Sequence, residues 1–418
     1  MLTQAPRGTR DIFGAEIKKW QEVEAKIREI CENAGIEEIR TPIFEHTELF
    51  LRGVGETTDI VNKEMYTFND KGDRSITLKP EGTAGIARAY IEHGMHNMPQ
   101  PIKLYYLSAP TFRYEKAQAG RQRQFHQFGV EMLGSLSPAQ DVEAISVAAR
   151  LIESLGIENI ELRLNSLGCP ECRGRYNKAL REFIGENLEN LCPTCKERYE
   201  KNPLRVLDCK EEKCKKIIEN APSVLDCLDE ECTAHFNKVQ EILTEMGIKF
   251  VVDPKIVRGL DYYTRTVFEF VTNSIGAQGT VCGGGRYDKL IEECGGQPTG
   301  AVGFGLGMER LLLTLEAQNG KFENKPYKDI YIGAIGDKGF VKAQAVTYNL
   351  RKEGIKAECD TVGRSVKAQM KYANKIGAKY SVIIGDNEIA EDKVSLKNME
   401  TGDVQEIKLS EIANYIAH

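Results

Sequence analysis

The sequence has no long hydrophobic run, and this absence limits the class of protein it can encode. Of its 418 residues, 41% are hydrophobic and 28% are charged. No uninterrupted apolar stretch approaches the roughly 20 residues that a membrane-crossing helix needs. The first residues, MLTQAPRGTRDIFG, also lack the apolar core of a secretion signal. We therefore expect a cytoplasmic protein with no membrane partner.

The chain also lacks an excess of positive charge. Its formal net charge is −6, from 56 Lys and Arg against 62 Asp and Glu, which argues against a basic protein that coats DNA. A local basic face can still supply contacts to the phosphates of another nucleic acid. The location of the positive charge therefore matters more than its sum.

The length suffices for two or three domains, each with its own core. Apolar residues at three- and four-residue steps predict a helix over 17–33, and the turn sequence DKGD predicts a hairpin within 65–82. Towards the C-terminus, strand-like and helical segments alternate, which indicates an α/β domain with a largely parallel sheet. We predict domains over 1–325 and 326–418, with a cysteine-rich module inserted at about 168–235.

Two segments carry residues suited to binding a nucleotide. FRYEKAQAGRQRQF follows a predicted strand, and its arginines can make bidentate contacts to phosphate while its aromatic rings can stack on a base. GFGLGMERLLL leads with glycines into a helix whose first turn carries Arg310, where an anion would be favoured. A solvated hairpin tip and ordinary packing glycines are the alternatives.

These segments resemble the motifs of class II aminoacyl-tRNA synthetases. PTFRYE with its loop is similar to motif 2, GFGLGMERLLL to motif 3, and Pro42 in IRTPIFE to the motif 1 proline, which in that class lies at the dimer interface. More narrowly, RGTRDIFG, LKPEGT, FHQFGVEMLG and RGLDYYTRTVFEF resemble the histidyl-tRNA synthetase family, and the resemblance covers the whole chain.

The resemblance implies both a fold and a reaction. The fold would be of the α/β class: an α+β catalytic domain built on an antiparallel sheet with flanking helices, a small inserted domain, and a C-terminal α/β anticodon-binding domain. The protein would be a homodimer. It would activate L-histidine with ATP, release pyrophosphate with the help of Mg²⁺, and transfer histidine to the 3′-terminal ribose of tRNA(His).

The family also implies the residues that bind histidine. Glu131 and Tyr263, with Tyr262 nearby, would meet the imidazole, since a carboxylate and a phenol can satisfy both ring nitrogens. The α-amino group would meet Glu81, Thr83 and Gln127. The two tyrosines could instead be ordinary strand aromatics. The full implied set is Glu81, Gly82, Thr83, Arg113, Gln127, Glu131, Arg258, Tyr262 and Tyr263.

The implied ATP-binding residues lie mostly in motifs 2 and 3. Arg113 would bind the α-phosphate and the histidine carboxylate. Arg258 would stabilise the charge on the α-phosphate during attack, so that Arg258 and Arg113 are the catalytic residues. Glu115 and Phe125 would hold the adenine, and the outer phosphates would be bound by Arg121 and Arg310.

Two further regions are expected to contact tRNA. The motif 2 loop, 116–120, would meet the acceptor end through Lys116 and Gln118, although the family commonly has arginine and then proline at 116 and 117. Lysine cannot make the bidentate fork of arginine. Near the C-terminus a helical stripe without acidic residues contains Arg364, Lys367, Lys371, Lys375 and Lys379. A solvated helix face is the alternative, and the family favours tRNA contact by Lys367, Lys371 and Lys375.

The inserted module concentrates eight of the twelve cysteines: Cys169, Cys172, Cys192, Cys195, Cys209, Cys214, Cys227 and Cys232. In a reducing compartment this density favours metal over disulfides. Two C-P-x-C pairs, 169/172 and 192/195, are typical of tetrahedral zinc sites. The second pair could instead combine with Cys209 and Cys214, or the thiols could carry no metal. The sequence therefore allows a structural Zn²⁺ site in this module but does not decide between these arrangements.

The main alternative function is a non-catalytic paralogue, the synthetase-like regulatory subunit of ATP phosphoribosyltransferase in histidine biosynthesis. Such proteins usually lack the anticodon domain and have degraded RGLDYY and motif 3 regions, whereas Arg113, Arg258 and Arg310 are present here. A class II synthetase for another amino acid would be favoured if Glu131 and Tyr263 were missing, but both are present. A plain RNA-binding scaffold does not explain the ATP residues.

Overall fold

The structure is a computed structural model that describes residues 3–54, 58, 60–117, 120–201, 203–207, 209, 211–256, 258–274, 279–318 and 328–416. The chain forms two compact units, 1–321 and 322–418. The predicted boundary at 325/326 lies outside the described residues. Within the described ranges, no helix combines the length and apolar composition that a bilayer crossing requires.

The first unit alternates helices with short and long strands. Its helices are α1 Ala15–Asn33, α2 Thr47–Val54, α3 Thr83–Glu92, α4 Pro138–Ser154, α5 Pro170–Glu186, α6 Pro193–Lys201, α7 Glu212–Ile218, α8 Glu230–Glu245, α9 Leu290–Glu293 and α10 Met308–Ala317. Its strands are β1 Glu37–Glu38, β2 Phe44–His46, β3 Tyr66–Asn69, β4 Ser75–Leu78, β5 Ile102–Phe112, β6 Gln124–Leu133, β7 Ile160–Ser166, β8 Val251–Val252, β9 Thr264–Thr272, β10 Thr280–Arg286 and β11 Ala301–Gly307.

An eight-stranded sheet with the order β1-β5-β6-β11-β10-β9-β7-β8 forms the centre of this unit. Every neighbouring pair from β5 to β7 is antiparallel, and only the short edge strands β1 and β8 run parallel to their neighbours. The predicted antiparallel sheet with flanking helices is confirmed. Its register sets Glu131 opposite Gly303 and Glu269 opposite Gly283, which places two carboxylates beside residues without side chains.

The helix and hairpin that the sequence predicted near the N-terminus are both present. In α1 the apolar stripe is buried at Trp20, Val23, Ile27 and Ile30, as its periodicity indicates. The hairpin pairs β3 with β4. Its turn is held by the carboxylate of Asp70, which accepts N–H bonds from Gly72 at 2.8 Å and Arg74 at 3.0 Å.

The inserted module lies between β7 and β8 and contains the helices α5 to α8. Short 3₁₀ turns over Pro203–Val206 and Val224–Cys227 connect some of them. Its core combines apolar side chains with cysteines: Tyr176, Leu180, Ile184, Leu191, Cys192, Cys195, Leu204, Val206, Cys209, Cys214, Ile218 and Val224. The last helix, α8, continues to Glu245, beyond the predicted end of the module at about 235.

The second unit is an α/β domain. Its elements are β12 Lys328–Ala334, α11 Gly336–Lys352, β13 Ala357–Cys359, α12 Val366–Lys375, β14 Ala378–Ile384, α13 Asp386–Glu391, β15 Lys393–Asn398, β16 Val404–Lys408 and α14 Ile412–Ile416. In the order β13-β12-β14-β15-β16, the first three strands are parallel, as predicted from the alternation of strands and helices. The last two add an antiparallel hairpin.

Candidate active site

A cavity of about 290 Å³ opens on the central sheet. Its walls come from the start of α3, strand β5, the loop before β6 and the first residues of β6, the segment that leads into β9, and strands β10 and β11 leading into α10. Nearly all the residues predicted to bind histidine or ATP line it: Glu81, Gly82, Thr83, Arg113, Glu115, Arg121, Phe125, Gln127, Arg258, Tyr262, Tyr263 and Arg310. Residues far apart in the sequence thus form one site.

Arg310 and Arg113 are positioned by backbone carbonyls. Arg310, in the first turn of α10, donates from Nε to the carbonyl of Gly120 at 3.1 Å and from Nη1 to the carbonyl of Thr280 at 2.7 Å. Arg113 donates from Nε to the carbonyl of Pro80 at 2.7 Å. Burial, and next the charge of Arg121, lower the pKa of Arg310. A bound anion would relieve this repulsion.

Arg258 forms an ion pair with Glu269, which lies on β9. Burial by itself lowers the pKa of Arg258, but the charge of Glu269 and the neighbouring Tyr263 hold that pKa above its ordinary value. Within the described part of the chain, the buried Nε of Arg258 has no hydrogen-bond partner. Gly283 makes room for this guanidinium, since a methyl group there would lie 2.5 Å from Nη1.

The adenine side of the predicted site contains an ion pair and an aromatic ring. The carboxylate of Glu115 forms an ion pair with Arg121, whose Nε lies 2.9 Å from Oε2 of Glu115. The carboxylate therefore has a partner before any ligand binds. The guanidinium of Arg113 lies over the ring of Phe125, 5.6 Å from its centroid. The planar group and the ring therefore form one wall on which a base could stack.

The histidine side contains buried carboxyls and phenols. Glu81 accepts N–H bonds from Thr83 and Ala84, both at 2.8 Å, at the start of α3. Burial raises the pKa of Glu81 although these bonds oppose the rise. The rings of Tyr262 and Tyr263 lie 4.7 Å apart in the segment before β9. They line the cavity and are not on a strand, so the alternative of ordinary strand aromatics is wrong.

Glu131 is placed differently from the other predicted residues, because its carboxylate lies behind the cavity wall. It accepts a hydrogen bond from the Thr83 hydroxyl at 2.7 Å and another from the Tyr287 hydroxyl. Burial raises the pKa of Glu131 to about 8, although both bonds lower it. Gly303 on β11 leaves space for this carboxylate, since a methyl group there would lie 1.9 Å from Oε2.

Some residues of the site were not predicted from the sequence. Glu269 is the partner of Arg258, Tyr287 donates to Glu131, and the ring of Tyr106 lines the cavity. Arg173, in α5 of the inserted module, donates to the carbonyls of Asp261 at 3.0 Å and Tyr263 at 3.3 Å. A carboxylate within the apolar run VFEFV was the one local signal, for Glu269.

The residues predicted to contact tRNA are not part of this cavity wall. Lys116 is exposed beside it, and Gln118 lies outside the described residues. Lys367, Lys371 and Lys375 are exposed on α12 in the second unit. Arg364 precedes that helix, pairs with Asp360 at 2.7 Å and lies over the ring of Tyr372. These three lysines form the exposed stripe, whereas Arg364 is held in local contacts and Lys379 lies on β14, so its predicted place on the helix is wrong.

The cysteines of the inserted module form two separate clusters. One contains Cys192, Cys195, Cys209 and Cys214, all buried. The other contains Cys169, Cys172 and Cys232 with the carboxylate of Asp229. The pairing of 169/172 with 192/195 is therefore wrong, because the fold of the module brings the second pair to 209/214 instead. Neither cluster lines the cavity.

Comparison with known proteins relates both units to one family. A family profile described as histidyl-tRNA synthetase matches residues 8–311, and one described as an anticodon binding domain matches residues 329–418. The chain is 57% identical over 409 residues to a histidine–tRNA ligase of Acetivibrio thermocellus, covering 98% of each chain. It is 58% identical over 417 residues to one of Thermoanaerobacter pseudethanolicus, covering 100% of this chain and 99% of the other.

A solved structure gives the same relationship. The structure is similar to that of apo histidyl-tRNA synthetase from S. aureus, with a TM-score of 0.84 and 40% sequence identity. The match covers 99% of this chain and all of the other. Similarity therefore extends across both units at the level of sequence and fold.

Proposed function

This chain belongs to the histidyl-tRNA synthetase family, and we propose that its arginine-lined cavity is where histidine reacts with ATP. The protein is a histidine–tRNA ligase: it activates L-histidine and transfers it to the 3′-terminal ribose of tRNA(His). The regulatory-subunit alternative is not supported, because relatives that match the full chain are named as ligases. The roles of individual residues below are our proposals.

The main support for this proposal is that one cavity contains four arginines and Tyr263. The arginines are Arg113, Arg121, Arg258 and Arg310. Arginines bind phosphate oxygens in bidentate fashion. Arg121 and Arg310 would hold the outer phosphates of ATP, and Phe125 would stack on its adenine. Glu115 would accept from the exocyclic amine of the base.

Mg²⁺ is expected with ATP, and the cavity has groups that suit it. Besides Glu115, which is proposed to bind the adenine, the wall contains the carboxylates of Glu269 and Glu309, and carboxylate and phosphate oxygens together form the ligand set that Mg²⁺ prefers. When bound, the ion would neutralise charge on the departing pyrophosphate.

In the first step, a carboxylate oxygen of histidine attacks the α-phosphorus of ATP. A new P–O bond forms, the bond to the β-phosphate oxygen breaks, and pyrophosphate leaves. Arg113 would hold both the carboxylate and the α-phosphate. Arg258 would stabilise the charge that accumulates on the α-phosphate oxygens, and its unpartnered Nε is a donor available for that purpose.

Histidine would be selected by buried polar groups. Tyr263 and Glu131 would satisfy the two ring nitrogens, while Glu81, Thr83 and Gln127 would hold the α-amino group. Glu131 lies behind Thr83 in this structure, so we propose that the imidazole displaces the Thr83 hydroxyl from its carboxylate. A substrate without ring nitrogens would leave these groups unpaired, which is strongly unfavourable.

In the second step, the terminal ribose hydroxyl of tRNA attacks the carbonyl carbon of the adenylate. The ester C–O bond forms, the bond between the carbonyl carbon and the phosphate oxygen breaks so that AMP leaves, and the hydroxyl proton passes to the departing phosphate or to solvent. We propose that Lys116 and Gln118 contact the acceptor end, and that Lys367, Lys371 and Lys375 on α12 contact the phosphate backbone.

We also propose a cytoplasmic homodimer. The segment with Pro42 continues into Ile43 and Phe44, and Phe68 lies on the same three-stranded sheet. These three apolar side chains are 44%, 51% and 49% exposed, a patch that a second copy of the chain would cover. Sedimentation analysis of wild-type protein and Phe44→Glu tests this: the variant should shift towards monomer.

ATP–pyrophosphate exchange measured with each of the twenty amino acids tests the proposed site. Exchange should depend on histidine, and Tyr263→Phe and Glu131→Ala should each reduce it strongly. The control variant Tyr66→Phe, which removes a phenol hydroxyl outside the cavity wall, should reduce it much less. Full histidine-dependent exchange in Glu131→Ala would refute the proposed imidazole contact.

A further inference from the structure

The four cysteines of the cluster 192/195/209/214 form a compact group of sulfur atoms inside the inserted module. Each of the four residues is at most 9% exposed. Their Sγ atoms all lie within 4.8 Å of one another, and those of Cys192 and Cys209 are 3.8 Å apart. All four are free thiols. The sulfurs are thus gathered in one place without being joined in pairs.

This spacing matches a tetrahedral metal site. A zinc–thiolate bond is about 2.3 Å long, so neighbouring sulfurs of a regular tetrahedron around zinc lie about 3.8 Å apart. The chain also supplies the sulfurs as closed sites do, from one C-x2-C pair and one C-x4-C pair. In addition, the backbone N–H of Cys192 donates to the sulfur of Cys214 at 3.3 Å, a bond that a thiolate ligand accepts well.

The local fold gives a reason for such a site. The segment that contains the cluster is built from the short helices α6 and α7 and the 3₁₀ turn Pro203–Val206. The cysteines themselves occupy a third of the buried core positions of the module. Small modules with little apolar core usually need a disulfide or a metal to remain folded.

We propose that Cys192, Cys195, Cys209 and Cys214 bind one structural zinc ion as a closed four-thiolate site. The ion links the start of α6 to the end of the 3₁₀ turn and to α7. It holds no open coordination position, and it lies apart from the active-site cavity. Its role is to keep the inserted module folded, not to take part in adenylate chemistry.

The second cluster differs in a way that makes it a control. Both Cys169 and Cys172 donate to the Asp229 carboxylate at 3.1 Å, and Cys172 also accepts from Arg175 at 3.2 Å. The same carboxylate accepts from the backbone N–H of Cys232 at 2.7 Å and caps α8. Its fourth group is the carboxylate that caps α8 instead of a fourth thiol, so the proposal is confined to the four-cysteine cluster.

The test measures bound metal in full-length protein purified without a chelator or a metal-affinity tag. Inductively coupled plasma mass spectrometry gives the number of zinc ions per chain. The proteins compared are the wild type, Cys195→Ser, Cys214→Ser, Cys172→Ser and Cys227→Ser. Cys227 belongs to the same module but to neither cluster. We expect one equivalent in the wild type that is lost in Cys195→Ser and Cys214→Ser and retained in Cys172→Ser and Cys227→Ser.

Two further measurements use only the wild-type protein, so they test the proposal even if Cys195→Ser fails to fold. Wild-type protein reconstituted with Co²⁺ should show the strong sulfur-to-cobalt absorption of four thiolates. Titration with a mercurial reagent should release one zinc per chain as the buried thiols react, after the more exposed Cys169, Cys227 and Cys294. Absence of zinc, iron in its place, fewer than four thiolates around Co²⁺, or full zinc in Cys195→Ser would each overturn the proposal.

Discussion

The hydroxyl of Thr83 donates a 2.7 Å hydrogen bond to the carboxylate of Glu131. The backbone N–H of the same residue donates at 2.8 Å to Glu81, so one residue at the start of α3 joins both buried carboxyls of the proposed histidine site. Burial raises the pKa of each, and that of Glu131 to about 8. Glu131 therefore changes its protonation close to neutral pH.

Histidine use should depend on pH in a bell shape. With a pKa of about 8, Glu131 holds a proton at pH 7 in the free protein, and we expect the pair of Glu131 and bound imidazole to share one proton. Below about 6.5, the ordinary pKa of imidazole, free histidine carries an extra proton that must be lost. Above about 8, Glu131 has lost its own proton. We predict that kcat/KM for histidine in pyrophosphate exchange is highest between these limits.

Glu131→Gln is the matched variant for that profile. Glutamine cannot titrate, so the decrease above about pH 8 should disappear while the decrease on the acid side, which belongs to the substrate, remains. The value of kcat/KM should also be lower at every pH. An alkaline limb that persists unchanged in Glu131→Gln would show that another group titrates there.

The same carboxyl should affect stability in the absence of histidine. Its pKa is higher in the folded protein, about 8, than the ordinary value of 4.5. The folded state therefore binds more protons between these values, and the contribution of Glu131 to the free energy of unfolding is greatest below pH 4.5 and falls as pH rises to 8. Urea unfolding at several pH values measures this. The free energy of unfolding should fall less steeply with rising pH in Glu131→Gln than in the wild type. Parallel profiles would contradict this.

Arg258→Ala should act on the rate of activation more than on ATP binding. Removing one preorganised donor to a transition state typically costs about 100-fold or more in kcat, and we expect that loss in pyrophosphate exchange with a change in KM for ATP below about threefold. Equal effects on kcat and on ATP binding would remove the proposed role. Because the substitution leaves Glu269 without its cationic partner, the double variant Arg258→Ala with Glu269→Gln controls for the uncompensated carboxylate charge.

Phe125→Ala should weaken ATP binding while leaving histidine binding unchanged. Stacking of a base on an aromatic ring is worth about 1–3 kcal/mol, so KM for ATP should rise by about 5-fold to 150-fold. Tyr114→Ala is the control, because that ring belongs to the same segment but is 55% exposed and outside the cavity wall. Similar effects in both variants would indicate a general disturbance of the loop and not the removal of a stacking ring.

The triple variant Lys367→Ala, Lys371→Ala and Lys375→Ala should impair aminoacylation but not pyrophosphate exchange. Removing each lysine that binds a phosphate should reduce the salt dependence of tRNA binding, by a slope of about 0.7–0.9 per lysine. Filter binding of tRNA at several salt concentrations measures this slope. Lys393 and Lys408 are suitable control positions in the same unit, since they pair with Glu406 and Glu411. An unchanged salt slope in the triple variant would place the tRNA elsewhere.

Features that depend on neighbours in the sequence were predictable. The stripe of α1, the hairpin of β3 and β4, and the parallel strands of the second unit follow from hydrophobic period and turn residues, which local geometry decides. The arginines of the cavity were found because their motifs resemble those of a known family. Composition alone would not have placed Arg113 and Arg310 together.

Features that depend on distant segments were not predictable. Glu269 could be seen as a carboxylate in an apolar run, but its pairing with Arg258 follows from the turn that brings residue 258 over β9 and β10. Tyr287 meets Glu131 because β10 and β6 both pair with β11 in the central sheet. Spacing also left two groupings open for the cysteines, and one was wrong.

By itself the sequence determined the residue types of this protein's chemistry and the helices and strands that carry them, because both are written in short stretches of chain. Only the tertiary structure decided which groups face one another: which four cysteines meet, that Glu131 lies behind Thr83, and that Arg258 pairs with Glu269. Burial and charge act over a few ångströms in space, whatever the separation along the chain. The raised pKa of Glu131 therefore arises only when the sheet and α3 close around it.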